Sequence, residues 1–197
     1  LGAPPRPNIV HIVADDLGWK DVGFNGCVDI KTPNLDALAA GGARLTQFYV
    51  QPMCTPTRAA LMSGRYASRF GVTAAQNEQA MPFGTETIAS LLRGAGYETA
   101  LTGKWHLGST IESGPNKFGF DYSYGCLAGG CTPDTHEYKK GPFQKTWHRN
   151  DQLFDESGHV TDLITKQAVN WIGQRGDKPF FLYVPLSAGH VPIAEPE

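Results

Sequence analysis

The sequence predicts an α/β fold, a layered architecture with a central, mostly parallel sheet flanked by helices, and three observations carry that expectation. Short runs rich in β-branched and aromatic residues alternate along the chain with segments of helical periodicity. Each run gives way to ionisable residues: Asp15 and Asp16 after the first, Lys104 and His106 after the second, His190 after the third. Open α/β sheets take their ligands at the carboxyl ends of the strands, so these groups are expected to meet at one edge of the sheet.

The elements follow in order. NIVHIVA, residues 8–14, is a β-branched run after a proline-rich start and reads as a buried strand. Thr32 with Pro33 behind it opens a helix over TPNLDALAAGG, closed by Gly41 and Gly42. TPTRAALMSG after Cys54 reads as a helix that stops at Gly64. Thr85 is expected to cap TETIASLLRGAG, with Ile88, Leu91, Leu92 and Ala95 on its buried face. YETALTG from Tyr97 is the second strand, Thr161 to Trp171 a helix, and KPFFLYVPL the third strand. Between Gly108 and about Phe154 the chain is rich in Gly, Pro and aromatic residues without period, which predicts irregular loops with short strands.

At 197 residues with 41% hydrophobic and 18% charged content, the chain has the composition of one globular domain, or part of one. No run reaches the roughly 18 to 20 apolar residues of a membrane span, and a net charge of −2 argues against a general nucleic-acid binder. The chain starts at Leu1 without a basic-then-apolar leader, so a secretion signal is read as removed or not included. Between Asp36 and Glu78 there is no acidic residue, yet Arg44, Arg58, Arg65 and Arg69 fall inside that window. Such a segment either draws anions into a cleft or is a solvated face that lacks carboxylates. Cys27, Cys54, Cys126 and Cys131 lack the paired spacing of a zinc site. Cys126 and Cys131 bracket LAGG and either close a short disulfide loop or stay free thiols.

Two adjacent aspartates at a strand end suit a hard divalent cation, although Asp15 or Asp16 can equally cap a turn. Lys104 and His106 alternate in GKWHLG and, if extended, point the same way, one fixing an anionic oxygen and the other moving a proton. Cys54 sits where a helix N-terminus favours negative charge, which lowers a thiol pKa and binds an anion. Arg58, one turn on, can reach the same oxyanion. A buried core thiol, a metal ligand and a nucleophile are the three readings of Cys54.

These stretches together resemble a known family. CTPTRAALMSGR at 54–65 resembles the first sulfatase signature, C-x-P-x-R followed by a small-residue helix, with Thr57 in place of the common serine. GYETALTGKWHLG at 96–108 matches the second signature, and NIVHIVADDLGW at 8–19 is similar to the family's metal strand. The resemblance spans essentially the whole chain, is greatest to arylsulfatases and N-acetylgalactosamine-4-sulfatase, and implies an alkaline-phosphatase-like fold.

It also implies a chemistry. Cys54 would be oxidised to Cα-formylglycine by a formylglycine-generating maturation enzyme, the hydrated aldehyde being the nucleophile. Asp15, Asp16 and an oxygen on the modified Cys54 would bind a divalent metal, usually Ca²⁺ with Mg²⁺ as the alternative. Arg58 and Lys104 would hold hydrate and sulfate oxygens, His106 would take the proton that lets sulfate leave, and His190 would assist the leaving group. The expected substrate is a sulfated small molecule or carbohydrate, and a phosphonate or phosphate monoester hydrolase of the same superfamily is the nearest rival. An inactive anion-binding fragment is the third reading. The family's later Asp-Asn pair and second lysine have no match, so residues 1–197 are read as the N-terminal part of the catalytic domain. The absence of an Asn-x-Ser/Thr sequon favours a secreted or periplasmic enzyme over a lysosomal one.

Overall fold

The computed structural model of the chain describes residues 6–194. Its sheet has six strands, β1 (Ile9–Val13), β2 (Glu98–Lys104), β3 (Tyr122–Cys126), β4 (Trp147–Arg149), β5 (Gln152–Leu153) and β6 (Phe180–Pro185). They lie side by side in the order β1-β6-β2-β3-β4-β5. The first four in that order are mutually parallel, and β4 and β5 complete one end antiparallel. The helices are α1 (Pro33–Gly41), α2 (Cys54–Ser63), α3 (Ile88–Gly94) and α4 (Val160–Gly173). Chain contacts separate two units: residues 16–50, which hold α1, and the remainder, which holds the whole sheet.

The two faces of the sheet build two cores because successive side chains of a strand point opposite ways. Phe181 and Tyr183 of β6 join Leu101, Ala59, Met62, Trp105 and Phe120 on one side. Phe180, Leu182 and Val184 join Ala100, Tyr124 and the Val160, Ile164, Ala168 and Trp171 stripe of α4 on the other. Strand β6 is therefore buried at every position and reads as an unbroken apolar run, as parallel strands covered on both faces do.

Strand β2 passes β6 so closely that a Cβ on Gly103 would lie 2.0 Å from Pro185 O, and Gly103 has φ 141. Only glycine meets both conditions. The residue after it is Lys104, so this close approach sets where the lysine leaves the sheet.

Several local expectations shift. Helix α3 is capped by Thr87, whose Oγ1 accepts from Ser90 N while Ser90 Oγ accepts from Thr87 N; Thr85 instead donates to Pro82 O. Leu91 is 58% exposed and Ala95 is exposed too, so the buried face of this helix is Ala89 with Ile88 and Leu92 packed against the core. The stretch read as mostly irregular supplies β3, β4 and β5. The pairing of β3 with β2 and β4 is set by neighbours more than 20 residues away, such as Gly125 with His148, whereas β4 and β5 pair locally.

In the smaller unit, Thr32 precedes α1 as expected but does not bond to the helix's own amides. Its Oγ1 accepts from Gly23 N at 2.8 Å and donates to Asp36, whose Oδ1 accepts from Phe24 N at 2.7 Å.

Candidate active site

The loops that leave β1 and β6 are stitched together: Leu186 N donates to Val13 O and Asp15 N donates to Ala188 O. This delivers Asp15 to the carboxyl end of β2, where Lys104 emerges. Lys104 Nζ stands 2.5 Å from Asp15 Oδ2, and Arg58 Nη2 from α2 stands 3.3 Å from Oδ1. Arg58 Nη1 also donates to Lys104 O at 2.9 Å and reaches the Tyr183 hydroxyl at 3.5 Å. All three charged side chains are at least 95% buried.

Within this trio two cations face one carboxylate, and Arg58 Nε has no hydrogen-bond partner among the described residues. A buried surplus of positive charge is costly unless an anion completes it. Burial alone would raise the Asp15 pKa, but the Arg58 and Lys104 charges outweigh it and hold the carboxyl below its ordinary value.

His106 lies beside this cluster, with a twist in the backbone that the sequence did not predict. Strand β2 ends at Lys104 and His106 has φ 55, so the two are not alternating positions of one strand. Trp105 N and His106 N instead donate to Cys126 O and Leu127 O past the end of β3, and the Trp105 ring enters the core. His106 Nε2 is 3.3 Å from Thr55 Oγ1, which itself donates to Gln76 O. The other ring nitrogen, Nδ1, is buried and has no hydrogen-bond partner among the described residues. Burial first, then the charges of Lys104 and Arg58, lower its pKa to about 3. At neutral pH His106 is therefore an uncharged base. A Cβ on Gly129 would meet His106 Nε2 at 2.4 Å, so this glycine of LAGG is what lets the ring fit.

Cys54 is the first residue of α2, whose opening turn has neither an acidic residue nor a side-chain cap to offset the positive helix end. It is half-buried and borders a cavity of ≈770 Å³ together with His106, Gln76, Asn77, Tyr138 and His190. His190 is close enough for its charge to act on both Asp15 and His106. The expected residues Asp15, Cys54, Arg58, Lys104, His106 and His190 thus converge within the larger unit. Asp16 opens the smaller unit with a left-handed backbone, φ 53.

The expected metal ligands fit a hard cation in kind. Each Asp15 oxygen keeps a further lone pair beyond its cation contact, and carboxylates suit Ca²⁺ or Mg²⁺. A thiol at Cys54 does not suit such an ion, whereas an oxygen-bearing side chain there would. Three ligands are fewer than the roughly six to eight oxygens that Ca²⁺ takes, and among the described residues no group of three or more His, Cys, Asp or Glu is poised on a metal.

Thr55, Tyr183, Asn77 and Gly129 belong to the site and went unread in the sequence. Thr55 lies inside the CTPTR stretch and Gly129 inside LAGG, but nothing marks Tyr183, which pairs with Arg58 across 125 residues. All four cysteines are free thiols, with Cys126 Sγ 3.2 Å from Gly130 O.

A family model described as Sulfatase matches residues 7–197. The chain is 35% identical to N-acetylgalactosamine-6-sulfatase of Mus musculus, over 98% of this chain and 41% of that protein. It is 36% identical to arylsulfatase J of Mus musculus, over 97% of this chain and 34% of that protein. Among solved structures, Ps i-CgsB in complex with k-i-k-neocarrahexaose superposes with a TM-score of 0.85 at 39% identity, over 96% of this chain and 47% of that one. The chain thus spans less than half the length of these relatives.

Proposed function

We propose that this chain, which belongs to the sulfatase family, forms part of an enzyme that hydrolyses sulfate monoesters of carbohydrates or aryl alcohols. The observation that carries the reading is the unbalanced Arg58–Lys104–Asp15 cluster beside Cys54. A sulfate monoester brings the negative charge that this buried cation pair lacks.

In this reading Arg58 and Lys104 orient the sulfate oxygens, already held at fixed positions by Asp15 and so needing little reorganisation. The His106 imidazole accepts a proton during sulfate release, a role that its neutral form suits. His190 gives a proton to the departing alkoxide oxygen. Oxidation of the Cys54 thiol to an aldehyde by a formylglycine-generating enzyme would supply, on hydration, one hydroxyl to attack sulfur and a second to expel sulfate. Asp15, Asp16 and the oxidised Cys54 would hold the divalent cation, Ca²⁺ before Mg²⁺, which would add Lewis-acid stabilisation of developing charge. The saccharide side of the reading is supported by the cavity, far larger than one sulfate needs, and by the k-i-k-neocarrahexaose in the related structure. A secreted or periplasmic location, with the lysosome as the alternative, suits an enzyme acting on such polymers; no helix among the described residues is long and apolar enough to cross a membrane.

The test is the ratio of kcat/KM on p-nitrophenyl sulfate to that on p-nitrophenyl phosphate, for the full-length protein made with a maturation enzyme. The sulfate should be preferred. Preference for phosphate would replace this reading with that of a phosphate or phosphonate monoesterase.

A further inference from the structure

The cavity beside Cys54 has a second wall that takes no part in the chemistry above. Residues 137–139 form a strap along it, and the strap is firmly anchored. Tyr138 N donates to Gln144 O at 2.7 Å, Glu137 bridges antiparallel to Lys145, and Thr132 N donates to Glu137 O at 2.8 Å. The Glu137 carboxylate is held by Gln144 Nε2 at 2.9 Å. The Tyr138 ring lies along Gly130, where an added Cβ would sit 3.3 Å from Tyr138 Cε2 and 3.6 Å from His190 Cε1. An aromatic ring and the proposed leaving-group histidine therefore flank the same glycine. Lys139 Nζ lies over the Tyr138 ring, 5.8 Å from its centre, so a positive charge accompanies this aromatic wall.

Across the cavity, Asn77 is oriented without ambiguity. Its side chain accepts from Gly129 N and Ser109 Oγ, both at 3.0 Å, and an amide N–H can donate only to its oxygen. The amide NH₂ of Asn77 is then left as a donor bordering the cavity.

We propose that Asn77, Tyr138 and Lys139 form a saccharide subsite next to the sulfate position, which takes the neighbouring sugar ring of an oligosaccharide bearing a second anionic group. The apolar face of a pyranose packs on the Tyr138 ring, Asn77 donates to a ring hydroxyl, and Lys139 pairs with the second sulfate or a carboxylate. Glu137, fixed by Gln144, accepts from a hydroxyl on the same ring. The inference rests on the sulfate-ester reading for the position of the scissile group, but Tyr138 and Lys139, the residues varied in its test, have no part in the reaction.

The experiment compares full-length wild type with Tyr138→Ala, Tyr138→Phe and Lys139→Gln on p-nitrophenyl sulfate and on k-i-k-neocarrahexaose. Melting temperatures confirm that the variants fold. Tyr138→Ala should lower kcat/KM on the hexasaccharide about tenfold and leave p-nitrophenyl sulfate within about twofold, with Tyr138→Phe restoring the loss. Lys139→Gln should raise KM on the hexasaccharide alone and flatten its dependence on ionic strength. Equal losses on both substrates would make the strap a structural element, and no loss on either would remove the subsite. So would a wild type that cleaves p-nitrophenyl sulfate yet neither cleaves nor binds the hexasaccharide. If p-nitrophenyl sulfate is not cleaved, the sulfate-ester reading fails by itself, and calorimetric binding of the hexasaccharide to wild type and Tyr138→Ala still decides the subsite: weaker binding by the variant supports it, equal binding or none overturns it.

Discussion

Two buried cations, Arg58 and Lys104, both pair with Asp15, and the consequences of changing it follow from that sharing. Asp15→Asn keeps the shape and removes the charge, leaving Arg58 and Lys104 3% exposed or less with nothing opposite them. Losing one partner of a buried ion pair costs about 3–5 kcal/mol, so urea denaturation should show a loss of that order. A loss near zero would mean that solvent or another carboxylate already neutralises the pair. His106→Gln should behave differently, because its ring is uncharged at neutral pH and its proposed role is proton transfer. Its kcat should fall about 10²–10⁴-fold, with a melting temperature little changed. The main site residues were legible because the C-x-P-x-R and GKWHLG stretches are long and specific. Thr55, Tyr183 and Asn77 were not, because their roles depend on hydrogen bonds spanning 51, 125 and 52 residues.

At the scale of elements, the closest constraint is the contact of β2 with β6. Gly103→Ala would place a Cβ 2.0 Å from Pro185 O at φ 141. The strands would have to part where Lys104 leaves the sheet, at a cost above the about 1–3 kcal/mol of backbone strain alone. The variant should fold poorly, and where soluble it should lose activity along with stability. Gly64→Ala, at a left-handed helix end with open space around it, should cost only the conformational penalty, about 1–2 kcal/mol. Thr87→Ala removes a cap and the bond to Phe118 O at 2.6 Å, and should lower stability by about 1–2 kcal/mol. Thr85→Ala, by contrast, should be nearly neutral. Both threonines precede the same helix, and sequence alone could not tell them apart. The reciprocal bond between Thr87 and Ser90 decides it, since the Ser90 hydroxyl takes the reaching-back role usually given to Glu or Gln.

For the molecule as a whole, strand order was the least legible property. The apolar runs announce β1, β2 and β6, but that β6 lies between the other two is a matter of chain crossing, which no local pattern records. The buried histidine of β4 escaped notice for the same reason. His148 bonds Gly125 O at 2.8 Å and Ser123 Oγ at 3.0 Å, and burial lowers its pKa from 6.5 to about 4. Between these values the unfolded chain binds a proton that the folded chain refuses, so stability falls as pH drops from 6.5 towards 4. The His148 contribution is fully present above that window. Asp15, whose carboxyl is held below its ordinary value by Arg58 and Lys104, acts only at lower pH. Urea denaturation at about pH 7 and about pH 5 should show this fall, to which His106, its pKa lowered to about 3, adds in the same direction, and His148→Gln should lessen it, although its stability at pH 7 is lower.

The central claim is that Cys54 is the precursor of the reactive group in a cation-lined sulfate site, and mass spectrometry of the tryptic peptide containing it tests that claim most directly. Full-length protein made with a formylglycine-generating enzyme should yield the peptide with the thiol replaced by an aldehyde or its hydrate, and this form should be absent without the maturation enzyme. An intact thiol in protein that nevertheless hydrolyses p-nitrophenyl sulfate would contradict the account.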